Sequence, residues 1–165
     1  MLEEIIYKIK NSSDCIVHPP NGLPNTANIH SLHSDIIQIY ELTGGIDFYT
    51  NMDYQMRILP PHDFELSNTK ILGQECKQYI QDNDISNHWY TIADAGPEQY
   101  ISVDLHPDRF GRCYDSFCQT HAVPGDSPVL ALNPIDLILS IFENKGEYWF
   151  WLKDSFSKLG DAYDI

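Results

Sequence analysis

Three groups of residues in this chain combine types and spacings that could do chemistry. The first, Cys113-x4-Cys118-x2-His121, joined in space by Cys76 or His106, would offer thiolate and imidazole ligands to zinc. Zinc knuckles pair their ligands at shorter spacing, so the plainer reading sets Cys113 in a strand as a small buried residue, with Cys118 and His121 in the loop beyond it. The second, His30-x2-His33, could bring two imidazoles to one side of a helix start. No Glu or third ligand completes that pattern, and a solvated histidine pair fits it better. The third, Asp104-x-His106-x-Asp108, has the look of a catalytic or calcium cluster. Pro107 and Gly111 mark it instead as a turn, where Asp side chains bond nearby backbone N–H groups.

Motifs with a chemical mechanism are missing: there is no G-x-S-x-G elbow, phosphate-binding loop, dinucleotide glycine fingerprint or H-E-x-x-H. The expectation is therefore a protein that is not an enzyme and needs neither cofactor nor metal. A metal-dependent or Cys-His hydrolase assembled in space is the rival from another class. Tyr148, Trp149, Phe150 and Trp151 could form a ligand platform, but such a cluster is more often core, or half core and half rim.

Charge says more about partners. The chain has 165 residues and 24 acidic side chains against 10 basic ones, a formal charge of -14. Such a surface repels phosphate backbones and anionic headgroups, which argues against nucleic acid and membrane, and attracts a basic protein over long range. Between Asp82 and Asp136 the carboxylates of Asp82, Asp84, Asp94, Glu98, Asp104, Asp108, Asp115, Asp126 and Asp136 face only Arg109 and Arg112. Turns at 94–98 and 104–109 would project several of them from one sheet. Asp94, Glu98, Asp104 and Asp108, with an exposed aromatic such as Tyr100 or Tyr54 as anchor, are accordingly the expected partner-binding residues.

The elements that must position these groups follow from periodicity. The length suits one domain over residues 1–165, with a core that does not need disulfides or metal. Leu2, Ile5, Ile6 and Ile9 share one face of a short first helix. Residues 18–31 are rich in Pro, Gly and Asn and should be an irregular loop, with Ser31 capping a second helix. That helix runs through Leu32, Ile36, Ile39, Tyr40 and Thr43 and stops at Gly44-Gly45, where a left-handed glycine can end it. IDFYT and YQMRIL then form a hairpin across Asn51-Met52-Asp53, closed by Pro60-Pro61. Residues 62–88 read as a short helical segment near Cys76, Tyr79 and Ile80 with a mobile acidic loop. Strands follow at Trp89–Ala93, Tyr100–Leu105 and Arg112–Asp115, with an edge segment at Leu130–Ala131. A last helix starts at Asn133, packs Ile135, Ile138, Leu139 and Phe142, and stops at Gly146. The aromatic tail should fold back on the sheet. The fold class is α+β, a mainly antiparallel sheet of about five or six strands packed with N-terminal and C-terminal helices.

No segment approaches the run of apolar residues that a membrane span needs, and the N-terminus lacks a signal-peptide pattern, so a soluble cytoplasmic protein is expected. Four cysteines are too sparse for a disulfide framework, and reduced thiols are the default.

The order of these elements resembles the SUKH superfamily, which includes fungal cell-wall-synthesis regulators of the killer-toxin-resistance type and bacterial immunity proteins of polymorphic toxin systems. The residues that carry the resemblance are Leu32, Ile36, Ile39 and Tyr40 before Gly44-Gly45, the strands Trp89–Ala93 and Ile101–Leu105, Gly111 ahead of Cys113-Tyr114-Asp115, and the helix from Asn133. It covers roughly residues 30–145. Ser31-Leu32-His33 stands where a Leu-Pro start is usual, and Gly44-Gly45 where an Asn-Gly pair is common. The resemblance implies a non-catalytic α+β binding domain, often an immunity protein that blocks a cognate toxin, or else a regulatory or scaffolding module of the same fold.

Overall fold

The computed structural model describes residues 1–164, apart from the side chains of Cys76 and Lys77. Seven strands form one sheet in chain order, and every neighbouring pair is antiparallel. They are β1 (Ile16–Val17), β2 (Ile46–Phe48), β3 (Met56–Ile58), β4 (Trp89–Asp94), β5 (Gln99–Asp104), β6 (Cys113–Phe117) and β7 (Val129–Ala131). Four helices accompany them: α1 (Leu2–Lys10), α2 (Ser34–Leu42), α3 (Ser67–Lys77) and α4 (Pro134–Asn144). This is an α+β fold with an antiparallel sheet, longer by a strand or two than the periodicity predicts. The extra strand is β1, whose two residues are too short to show any alternation.

Helices α1, α2 and α4 pack on one face. There Ile5, Ile9, Ile36, Ile39, Ile138 and Ile141 close over Ile46, Phe48, Ile58, Ile92, Ile101 and Val103. Each such side chain removed from water stabilises the fold by roughly 1.5–3 kcal/mol before entropy is counted. On α4 the buried positions are Leu137, Ile138 and Ile141, while Ile135, Leu139 and Phe142 lie at the margin of the core. The expected face of this helix is thus rotated. Its boundaries hold: Asn133 Oδ1 accepts from the N–H of Asp136 at 2.8 Å, and Lys145 and Gly146 turn left-handed.

The second helix starts later than expected. His33, not Ser31, is its N-cap, with Nδ1 accepting from the Asp35 N–H at 3.1 Å. Thr43 ends it in extended conformation, and the positive φ of 116° falls at Gly45, where the chain enters β2. A Cβ on Gly44 would stand 2.2 Å from the Pro19 carbonyl oxygen, so that glycine lets the 18–31 loop lie against the chain, while a Cβ on Gly45 would meet the Ile58 carbonyl oxygen on the other side. The β2–β3 hairpin has a longer loop than expected, because Phe48 pairs with Met56 and residues 49–55 lie between. Within residues 62–88 the expected short helical segment is α3, which starts earlier, at Ser67, and is kinked at Gly73; Tyr79 is exposed rather than part of a buried face.

On its second face the sheet is only half covered. Over β4–β6, Ser67 of α3 bonds Thr91 at 3.2 Å and Ser102 at 2.7 Å, and Ser102 bonds Ser116 at 2.6 Å. Beside this hydroxyl seam, Trp89, Tyr114, Val129 and Ala162 make a second small core. The tail does fold back: Phe150 and Trp151 are buried, and Tyr148 stays at the rim. Over β1–β3 the second face carries exposed or half-exposed residues.

Candidate functional site

The open half of the sheet is built by register. Cross-strand pairing places Ile16, Asp47, Arg57, Asp94, Tyr100 and Ser116 in one row across β1–β6. Because side chains alternate along a strand, burying Ile46 and Phe48 beneath the helices turns Asp47 outward, and burying Met56 and Ile58 does the same for Arg57. Arg57 Nε donates to both Asp94 oxygens, at 3.0 and 2.9 Å, and its Nη2 reaches Oδ2 at 2.9 Å. His18 Nε2 lies 2.8 Å from Asp47 Oδ2. The middle of the row, Asp47 to Tyr100, floors a cleft of about 480 Å³ lined also by Gln55, Gly96 and Pro97. Gly96 (φ 103°) and Glu98 (φ 67°) make the tight turn at its rim.

The five residues expected to bind a partner do not form one patch. Asp94, Glu98 and Tyr100 lie at the β4–β5 turn, whereas Asp104 and Asp108 lie at the far end of β5. Glu98 and Asp108 are exposed and Tyr100 is half-buried. The outward projection expected of Asp94 and Asp104 is corrected by the structure: both are buried, Asp94 against a guanidinium from β3 and Asp104 among one cationic and three neutral donors. Asp94 is held by Arg57. Asp104, with no exposed surface, accepts from Arg109 Nε at 2.8 Å, Tyr114 OH at 3.0 Å, Trp89 Nε1 at 3.2 Å and the His106 N–H at 2.8 Å. The last is the turn bond that the sequence implies; the other three close a knot around a buried carboxylate. Tyr54 is also drawn inward, with its ring edge-on to Tyr148 and Trp149 at 5.0 and 5.1 Å.

The metal candidates separate. Cys113 sits in the helix-side core, where burial pushes its thiol pKa up, while His121 stacks edge-on against Trp89 on the other face. Cys118 is half-buried in the loop between, and the Cys76 side chain lies outside the described residues. Among the described residues no cluster of three or more His, Cys, Asp or Glu could hold a metal. Cys15, Cys113 and Cys118 are free thiols. His121 Nε2 bonds Asn68 Oδ1 at 2.7 Å, and burial lowers its pKa to about 4.

Nor are His30 and His33 a solvated pair. His30 is buried, with Nδ1 at 2.7 Å from Tyr90 OH and Nε2 at 2.8 Å from His88 Nδ1. Burial lowers the pKa of His30 and of His88, and the His106 charge lowers both further, joined for His88 by that of His30. His88 in turn packs edge-on against His106 at 4.7 Å. Sequence reading missed Asp47, Arg57 and this imidazole chain. The alternation of IDF and MRI was the available signal for the first two; nothing local marks the third.

This geometry defines a class: an acidic α+β protein with helices on one face of an antiparallel sheet and a charged cleft on the open half of the other. No helix among the described residues is long and apolar enough to cross a membrane. No family model and no solved structure matches the chain. Over 163 residues it is 41% identical to a protein named Immunity protein YokJ from Bacillus subtilis (strain 168), covering 99% of this chain and 96% of that one. The chain belongs to the family of that immunity protein.

Proposed function

We propose that this chain is a non-catalytic cytoplasmic immunity protein that binds and neutralises a cognate protein toxin. The carrying observation is its identity of 41%, over nearly the whole of both chains, to a protein named as an immunity protein. We read it as one SUKH-like domain: the α2–glycine turn, the β4–β6 meander and the C-terminal helix come in the order that resemblance implies. A charge of -14 favours a basic toxin and disfavours nucleic acid and anionic membrane as partners. The surface carboxylates, Glu98 and Asp108 among them, steer the encounter, and Tyr100 supplies apolar contact. Asp94 and Asp104 serve the interface from below: Asp94 ties the end of β4 to Arg57 on β3, and Asp104 fixes the end of β5.

The test is co-expression with candidate toxin domains drawn from the genes neighbouring this one. Growth should be restored with one of them, and the two proteins should co-elute as a stoichiometric complex. Continued toxicity together with separate elution would remove the reading.

A further inference from the structure

We propose that the toxin docks on the uncovered half of the sheet by placing an arginine or lysine side chain in the cleft beside Asp47, with its stem against Pro97 and the Tyr100 ring. This rests on the toxin-immunity reading above and names the surface and the chemistry it recognises. The cleft, at about 480 Å³, lies within the size range of pockets that take a ligand group or a side chain. Its floor is strand backbone fixed by pairing on both sides, so it is formed before the partner arrives.

The charges around it are not balanced. Arg57 faces two carboxylates across the row, and it is committed to one of them: both Asp94 oxygens take its N–H groups. Asp47 has only His18, at one oxygen, as a hydrogen-bond partner among the described residues; its other oxygen has none. A cation entering beside Asp47 would extend the row to alternate in sign, whereas an anion would meet two carboxylates and a guanidinium already in use. The walls suit the methylene stem of a long basic side chain, because Pro97 and the half-buried Tyr100 present apolar surface and the sheet edge continues to Ile16, which is 49% exposed. A half-shielded carboxylate with an aromatic wall is also where an interface gains most from a single inserted side chain.

Binding of the candidate toxin domains from the neighbouring genes, purified in an inactivated form, tests this by measured on and off rates. Asp47→Lys should weaken the complex by about tenfold or more and Tyr100→Ala should speed dissociation by a similar factor, with urea midpoints near that of the parent protein. Glu4→Lys, exposed on α1 and across the sheet from the cleft, should leave the dissociation rate within about twofold. If the parent protein binds and both cleft variants bind equally well, the inference is overturned and the immunity reading stands. No binding by the parent protein would overturn both. Should Asp47→Lys or Tyr100→Ala lose stability, amide exchange in the unmodified complex replaces them: slowed exchange across the β2–β3 hairpin and the 95–98 turn supports the site, and unchanged exchange there sinks it.

Discussion

Two buried ionisable residues set the most specific expectations. Asp104 receives four hydrogen bonds and neutralises Arg109, which is itself buried at 7% exposure. Removing the carboxylate in Asp104→Ala takes away the ion-pair partner of that buried guanidinium, so urea unfolding should show a loss of about 3–5 kcal/mol. Asp108→Asn, four residues on and exposed, should change stability by no more than about 0.5 kcal/mol. His121 makes a pH prediction. The Asn68 amide donates to Ser86 and Asn87 through its nitrogen, so its oxygen must accept and His121 Nε2 must carry the proton. Nδ1 is then buried without a partner, and protonating it would need a charge and a donor where neither is satisfied. With a folded pKa of about 4 against an ordinary 6.5, the residue favours folding in full above the unfolded value. As pH falls below 6.5 the unfolded chain takes up the proton first, and about 2 kcal/mol should be gone by pH 5. His30 and His88, both lowered by burial, act with the same sign. Urea titrations of the parent protein and His121→Gln at pH 7 and pH 5 check this: the variant should show a smaller difference between the two.

Among the elements, those legible in the sequence are the ones whose stability is local. α1 buries Leu2, Ile5, Ile6 and Ile9, as their spacing says, and α4 begins at a side-chain cap and ends at a left-handed turn. α3 was hard to read for the opposite reason: it bonds the sheet through the Ser67 hydroxyl and the flanking loops through the Asn68 amide, and a helix that buries hydrogen-bonding groups leaves no apolar stripe. The candidate site was half legible. Glu98 and Asp108 are where turn chemistry puts them, but whether Asp94 and Asp104 face water depends on Arg57 and on Trp89, Arg109 and Tyr114 arriving from other elements. The glycine pair before β2 is the sharpest element-scale test. Gly45 has φ 116°, and a Cβ there would come within 2.9 Å of the Ile58 carbonyl oxygen across the β2–β3 pair. Gly45→Val should therefore lower the unfolding free energy by about 2 kcal/mol or more, from left-handed strain and the lost fit together. A thermal midpoint equal to that of the parent protein would mean the turn does not hold the hairpin in register.

At the scale of the whole molecule, net charge and local charge make different demands on association. A charge of -14 raises the encounter rate with any basic partner, and salt should suppress that rate steeply because surface charges are screened beyond about 8–10 Å. The two ends of β5 lie farther apart than this screening length. Its six residues span roughly 17 Å at about 3.4 Å per residue, so Glu98 and Asp108 are independent probes of where the partner lands. If the toxin approaches the open sheet and the 95–98 turn, Glu98→Gln should slow association several-fold at low ionic strength, and the difference should vanish at high salt. Asp108→Asn should reduce the rate only by its small share of the total charge. Dissociation should be nearly unchanged in both, since an exposed rim charge acts on the encounter and not on the packed complex. The reverse ranking, with Asp108→Asn the slower variant, would move the landing site to the opposite end of the sheet, where His33, His106 and Phe110 gather around the 105–112 turn.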